Sequence, residues 1–240
     1  MRSKALSSLL ILLGAVAFFS CSRNGQLKVE KTNFGEEVAL QQNLLFTFNG
    51  NVVPDSLLNQ WDTTAYVVFE PAVKGKFRWN APDELVFSPD LGFRASTAYQ
   101  ARLTDETGRV RGAEKRAVDT EKTYAFHTPY LKLGSTDIVW TKNNRGVIEA
   151  LFNLNFNYRV NPAEVGNLLD VKVDGKGTTF NVTTSALADV VQVAAAQPAG
   201  TNWDAKAASL TIRKGLRCAE SAYVSTEPMG LQTELPDKSN

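Results

Sequence analysis

The sequence predicts an all-β protein, built as two tandem β-sandwich domains that follow a signal peptide. Three observations carry this prediction. Apolar and polar residues alternate with a period of two over several short runs, turn-forming residues separate the runs, and a pattern from the first half of the chain returns in the second. A period of two is typical of a strand with one buried face. Short strands between frequent turn signals are typical of a sandwich.

The clearest alternation lies in residues 69–103. Turn-forming residues at 74–75, 81–83 and 89–92 divide this stretch into three predicted strands. The apolar positions that we expect to face the first core are Phe77, Trp79, Leu85, Phe87, Tyr99, Ala101 and Leu103.

A repeat of this pattern predicts the second domain. Trp203 echoes Trp79, Leu210 and Ile212 echo Leu85 and Phe87, and Tyr223 echoes Tyr99; upstream, residues 152–162 echo 46–54. A unit of about 105 residues is close to the size of one immunoglobulin-like sandwich. We interpret the chain as two tandem immunoglobulin-like domains, at 27–129 and 130–236, with a polar tail at 237–240. The alternative is that any two β domains of similar composition look alike.

The remaining elements of the first domain follow in order. Strands are expected around residue 29, at 38–40 and at 44–48, before the turn pair Asn49-Gly50. Residues 54–61 predict one helical turn with Pro54 near its start. A strand at 66–69 leads into the alternating stretch. The charged residues 105–122 predict a long hairpin or a mobile loop, and residues 123–129 close the sandwich.

The second domain opens with a turn at 143–146 and a long alternating strand at 148–158. Asn161 before Pro162 predicts a capped helix start. Strands are expected at 171–173, 180–182 and 190–193, and residues 194–202 predict a loop of small residues. The last predicted strand is 230–235.

Composition and charge exclude several functions. The chain has 240 residues, 43% of them hydrophobic, with 26 Lys and Arg against 25 Asp and Glu. This balance argues against nucleic-acid binding, which needs a basic excess. Two cysteines and the single His127 do not make a Cys/His zinc site. We therefore predict no metal, no cofactor and no nucleic-acid partner, and we interpret His127 as a histidine at a strand end.

The N-terminus is typical of a targeting segment. Residues 1–20 combine Arg2 and Lys4 with an apolar run that is too short for a comfortable membrane span. Ser20 directly before Cys21 resembles the lipobox of bacterial lipoproteins, and the alternative is ordinary secretion. The resemblance implies a lipid attached to Cys21, a short tether at 21–26, and a place in the bacterial cell envelope, facing the periplasm or the cell surface.

The block from Phe69 to Trp79, FEPAVKGKFRW, followed by Leu85-x-Phe87-x-Pro89, resembles the N-terminal region of bacterial α2-macroglobulins. The resemblance implies immunoglobulin-like sandwich repeats in a large periplasmic lipoprotein of an endopeptidase-inhibitor family. Members trap proteases with a bait region and a Cys-x-Glu-Gln thioester. This chain has Cys218-Ala219-Glu220-Ser221, and serine has no amide carbonyl to form that bond. We expect no thioester and interpret Cys218 as a small buried hydrophobe.

The sequence is compatible with three functions. The first is a non-enzymatic, membrane-anchored scaffold or interaction module, with proteases or the downstream domains of a longer protein as partners. The second is a glycan- or peptide-binding surface lipoprotein, which would use exposed rings of Trp61, Trp140 or Trp203; packing in a core or at an edge is the alternative for each. The third is an enzyme. The adjacent acids at 36–37, 83–84 and 105–106 are typical of solvated surface, so we predict that the chain is not an enzyme.

Overall fold

The computed structural model describes residues 25–238, and it is all-β, with 45% of these described residues in strands and 7% in helix. The predicted fold class is therefore confirmed. The described strands form four sheets whose neighbouring strands all run antiparallel. Within residues 25–238, no helix is long and apolar enough to cross a membrane. The predicted signal peptide lies outside the described residues.

The first half of the chain forms a sandwich of two sheets. Its strands are β1 (Val29–Thr32), β2 (Leu44–Phe48), β3 (Trp61–Asp62), β4 (Val67–Glu70), β5 (Gly75–Ala81), β6 (Glu84–Pro89), β7 (Ala98–Leu103) and β8 (Thr123–His127). One sheet has the order β1-β2-β6-β5-β3, and the other has the order β4-β7-β8.

The side chains predicted to face the first core do so. Phe77, Trp79, Leu85, Phe87 and Tyr99 are each 4% exposed or less. They belong to β5, β6 and β7, whose other faces carry mostly polar residues, so the alternation in the sequence matches the pleat of the strands. The prediction for this stretch is confirmed.

The start of β5 is held by an unusually close approach to β6. A Cβ atom added at Gly75 would lie 2.4 Å from the Ser88 carbonyl oxygen and 2.6 Å from a ring carbon of Phe87. No side chain fits at such distances. The Phe87 ring in turn contacts Phe69 and Phe77, with ring centroids 4.4 Å and 4.9 Å apart. Glycine at this position is therefore a packing requirement of the core.

One residue of β6 departs from the alternation. Strict alternation with Leu85 and Phe87 predicts Val86 on the polar face, but Val86 is only 6% exposed. It lies opposite Leu45 of β2 and Arg78 of β5, because β6 is an inner strand of its sheet.

Two predictions for the first half are confirmed only in part. Only Asp55–Leu57 are helical, as a short 3-10 turn, and Trp61 belongs to β3, where it pairs with Arg78. Residues 105–122 do not form a hairpin: a 3-10 turn at Asp105–Gly108 is followed by a segment that packs on the N-terminal strand region. There the Leu27 N–H donates to the Ala117 carbonyl at 2.8 Å, and both Leu27 and Val118 enter the core.

The second half forms two sheets of four strands. Its elements are β9 (Leu133–Lys142), β10 (Ile148–Val160), α1 (Pro162–Leu168), β11 (Leu169–Val173), β12 (Lys176–Gly177), β13 (Asn181–Val182), β14 (Ala188–Ala196), β15 (Ala207–Ile212) and β16 (Met229–Glu234). The sheet orders are β13-β14-β10-β9 and β12-β11-β15-β16.

The long strand β10 and the helix α1 confirm the predictions for residues 148–168. Ala150, Phe152 and Leu154 of β10 are fully buried at every second position. The Asn161 side chain accepts a hydrogen bond from the Ala163 N–H at 3.0 Å, which pairs one of the free donors at the helix start.

The prediction of a loop from residue 194 was wrong at its start, because β14 continues to Ala196. Ala194 and Ala195 are buried and pair with Leu151 and Ala150 of β10. The long partner strand supplies hydrogen bonds to a segment whose own composition favours a loop.

Buried side chains fall into two clusters, one drawn from residues 27–126 and the other from residues 131–235 together with Ala95. The predicted repeat does not extend to strand pairing. β2 pairs with β6, whereas β10, which echoes β2 in sequence, pairs with β9 and β14 and not with β15. The domain limits at 129 and 130 stay an interpretation of the sequence.

Candidate functional site

A groove of about 940 Å³ lies where the two halves of the chain meet. We call it the junction groove, and it is lined by residues 40–41, 72–74, 90–95 and Tyr99 of the first half and by residues 157–159, Asp189 and Glu220 of the second. Ligand sites often lie between domains, and this volume is within the usual range for them.

Ser96 connects the two halves beneath this groove. Its side chain is fully buried, and its backbone has a φ of 48°, which is uncommon outside glycine. The Ser96 Oγ accepts a hydrogen bond from the Leu131 N–H at 3.0 Å, and the Ser96 carbonyl accepts one from the Ser221 hydroxyl at 3.0 Å. Their hydrogen bonds across the junction offset the free-energy cost of burying these polar groups.

The segment between the halves is held from both sides. The buried Thr128 hydroxyl donates to the Arg94 carbonyl at 2.7 Å and accepts from the Thr97 N–H at 3.0 Å. From the second half, the Tyr158 hydroxyl donates to the Pro129 carbonyl at 2.9 Å. The connection therefore has fixed hydrogen-bond partners in each sandwich.

A stack of three rings adds a second contact. His127 lies over Tyr130 with ring centroids 4.2 Å apart and an interplanar angle of 15°, and Tyr130 lies over Tyr223 at 4.9 Å and 27°. Ring pairs of this kind contribute about 0.5–1.5 kcal/mol each beyond the area that they bury. His127 ends β8, as predicted, and its Nδ1 lies 2.9 Å from the Thr128 carbonyl oxygen.

The groove presents charges of both signs. The Arg159 guanidinium pairs with the Glu220 carboxylate, to which Arg159 Nε donates at 2.8 Å. Among the described residues, the other four charged side chains of the lining make no ion pair; they are Lys74, Asp90, Arg94 and Asp189. Two cations and two carboxylates are thus left to meet a partner.

Two tyrosines give the groove uncharged polar groups. Burial raises the pKa of Tyr99, and the Arg94 N–H, which donates to the Tyr99 hydroxyl oxygen at 2.8 Å, opposes part of that rise. Burial also raises the pKa of Tyr158. Both phenols stay protonated at neutral pH, so they offer hydrogen bonds without charge.

The cysteine and metal predictions have separate outcomes. Cys21 lies outside the described residues, so lipid attachment there stays a prediction. Cys218 is fully buried, as predicted, and burial raises the pKa of its thiol. The neighbouring Ser221 donates to the Ser96 carbonyl across the junction, and Glu220 pairs with Arg159 in the groove. Within residues 25–238, no group of three or more His, Cys, Asp or Glu side chains is placed to hold a metal ion.

The tryptophans weighed as aromatic platforms lie in three different environments. Trp203 is 6% exposed and belongs to the second core. The half-buried Trp140 donates its indole N–H to the Pro236 carbonyl at 2.7 Å, and Lys238 lies over its ring at 4.0 Å. Trp61 is 46% exposed. Of these three, only Trp61 keeps a large free surface.

Sequence reasoning missed the junction groove. Its key contacts join residues far apart along the chain, such as Ser96 and Ser221. Hydroxyl residues in loops are common, and neither serine stands in a recognisable motif. The one sequence feature that pointed to Ser221 was its place in Cys218-Ala219-Glu220-Ser221, the segment that we compared with the thioester motif.

No protein-family profile and no curated protein sequence matches this chain. Three solved structures that are similar to it are L,D-transpeptidases of Mycobacterium tuberculosis. L,D-transpeptidase 3 with a faropenem-derived adduct has 14% identity and a TM-score of 0.29 over 54% of this chain and 46% of that one. The same enzyme at 1.32 Å has 14% identity and a TM-score of 0.28 over 54% and 45%. An L,D-transpeptidase from H37Rv has 12% identity and a TM-score of 0.29 over 72% and 77%.

This chain spans less than half the length of L,D-transpeptidase 3. At these TM-scores the similarity carries no argument about a substrate or a reaction. The prediction that the chain is not an enzyme is nevertheless contradicted, because the proteins in those structures are enzymes. That prediction relied on pairs of acidic residues adjacent in sequence. Such pairs give no information about catalytic groups that folding brings together from separate loops. We withdraw it and assign no reaction.

Proposed function

We propose that this protein is a lipid-anchored module of the bacterial cell envelope that binds a protein partner through the junction groove. Its first sandwich resembles the N-terminal region of bacterial α2-macroglobulins in the block that includes β5 and β6. In this proposal Cys21 carries the lipid, and the partner is a protease or a downstream domain of a longer protein. The module acts as a scaffold that holds its partner near the membrane.

The observation that carries the proposal is the fixed junction. Buried hydrogen bonds of Ser96 join the two halves, and the Thr128 hydroxyl holds the connecting segment to the first half, so the groove has its shape before a partner arrives. A preformed surface binds with a smaller ordering cost. Unpaired charges of both signs favour a polypeptide, whose side chains and backbone offer both donors and acceptors.

The thioester chemistry of the resembled family has no part in this proposal. Ser221 stands where the motif needs glutamine, and its hydroxyl is engaged with the Ser96 carbonyl. The Cys218 thiol is buried and protonated, which keeps it from acting as a nucleophile. Any contribution to protease inhibition would therefore come from binding.

Metabolic labelling with an alkyne fatty acid tests the anchor. The full chain should be labelled and recovered with membranes. The Cys21→Ser variant should lose both properties, whereas Cys218→Ser should keep them. An unlabelled full chain would remove the anchor from the proposal.

The same cells test the groove. A photo-crosslinking residue at Leu91, which lies in the groove and is 92% exposed, should give a discrete protein adduct. The matched control is Leu187, which is 51% exposed and lies outside the groove lining. Adding Arg94→Glu should abolish the adduct from Leu91. Equal adducts from both positions would contradict a role for the groove.

A further inference from the structure

A second, smaller cavity lies entirely within the first half, on the side of β3. Its volume is about 320 Å³, at the lower end of the range for small-molecule sites. We call it the Trp61 cleft. Tyr66 and Trp79 are its buried lining residues, whereas Gln60, Trp61 and Arg109 are exposed at its rim. An apolar interior with polar groups at its edge is the usual character of a ligand site.

A hydrogen-bond donor in this cleft has no acceptor. Trp79 is 2% exposed, and its indole Nε1 makes no hydrogen bond within residues 25–238. Leaving a buried N–H unpaired costs about 1–3 kcal/mol. Because Trp79 lines the cleft, an acceptor carried by a ligand is the group that would pair with this donor.

The Asp62 carboxylate is the other polar centre of the cleft. The Tyr66 hydroxyl donates to Asp62 Oδ2 at 2.9 Å, and the Thr64 N–H donates to Asp62 Oδ1 at 2.7 Å. Burial and the Asp62 carboxylate raise the pKa of Tyr66, and the Trp79 N–H opposes part of that rise without reaching hydrogen-bond geometry. The phenol is thus held neutral, with its proton directed to Asp62.

Trp61 provides a rigid ring at the mouth of the cleft. Its backbone pairs with Arg78 in the sheet, and the Arg78 guanidinium lies 4.6 Å from the ring centroid. This contact fixes the indole while 46% of the side chain stays exposed. A large exposed ring held in one orientation is a ready surface for stacking.

The charges around the cleft favour a neutral ligand. The Arg109 guanidinium pairs with Asp105 at 3.4 Å and with Glu106 at 3.5 Å. The remaining Arg111 and Asp62 carry opposite charges, so the lining as a whole has no strong excess of either sign.

We propose that the Trp61 cleft binds a neutral saccharide, with one sugar ring stacked on Trp61 and a ring or hydroxyl oxygen accepting from the Trp79 N–H. A sugar has apolar ring faces for the indole and hydroxyl groups that donate to a carboxylate. The cleft is compact, whereas an extended peptide needs a long groove or a sheet edge. This site lies apart from the junction groove and does not depend on the proposed function.

Tryptophan fluorescence of the full chain tests the site, with maltose, cellobiose and N,N′-diacetylchitobiose as probes. At least one should bind saturably, with a Kd of about 1 mM or tighter. Trp61→Ala should weaken binding by about tenfold or more, and Trp140→Ala, which changes a tryptophan outside the cleft, should not. Unchanged thermal unfolding of Trp61→Ala would show that the loss is local.

The indole N–H signals in an NMR spectrum place the ligand. Binding should shift the Trp79 signal and leave the Trp203 signal in place, because Trp203 lies in the other core. Absence of binding by all three sugars, binding that survives Trp61→Ala, or an unmoved Trp79 signal would each overturn the proposal. Binding of a proline-rich peptide that Trp61→Ala abolishes would also overturn it, because the ligand class would then be a peptide.

Discussion

The two sandwiches fill their cores with different side chains. The first core is dominated by aromatic rings in contact with one another, such as Phe69 and Phe77, which both lie tilted against Phe87. The second is mainly aliphatic, with valines of β11 and β14 and alanines that let strands pack closely. The comparison teaches that one fold class accepts two packing chemistries. A core of large rings loses more when one member is removed, because each ring buries a large area.

The largest expected effect separates the two cores. Phe87→Ala should lower the free energy of unfolding by about 3–5 kcal/mol, because it empties the space shared by several rings. Val193→Ala in the second core removes far less volume and should cost roughly 2 kcal/mol. Urea denaturation measures both. Equal losses would show that the aromatic cluster gives the first half no special dependence on single rings.

A middle-sized effect tests the connection between the halves. Ser96→Ala removes the acceptor of the buried Leu131 N–H, and we expect a loss of about 1–3 kcal/mol. Unfolding of the two halves should also separate into two transitions, which calorimetry would detect. Ser209→Ala is the control, because that hydroxyl makes no hydrogen bond among the described residues; it should change stability by less than about 0.5 kcal/mol. A single transition in Ser96→Ala would contradict the role given to Ser96.

The smallest expected effect is a change in the stability of the first core at alkaline pH. Burial raises the pKa of Tyr124 in the first core; the nearby Val29 amide opposes part of the rise, and Asp119 adds to it. The folded protein therefore keeps a proton that the unfolded chain loses above about pH 10. This stabilisation is present below that pH and is lost as pH rises above it. Melting temperatures should fall between about pH 9 and 11, and less steeply for Tyr124→Phe than for the natural chain. Identical slopes would remove this residue from the alkaline response.

The strands of residues 69–103 could be predicted because a half-buried strand requires apolar and polar residues to alternate along the sequence. The start of α1 was equally local, since Asn161 caps the helix through a neighbour two residues away. Val86 and Ala194 could not be placed correctly, because their burial depends on adjacent strands that come from distant parts of the chain. The junction groove and the Trp61 cleft could not be predicted for the same reason, because each forms only when segments distant in sequence come together.

No side chain fits at Gly75, and this bears on the meaning of the FEPAVKGKFRW block at residues 69–79. The glycine is required by the ring of Phe87 and the backbone of Ser88, and Phe77 and Trp79 are required by the same interior. Natural selection for folding alone would preserve this string of letters. The block therefore indicates a packed sandwich and does not by itself specify a biological role.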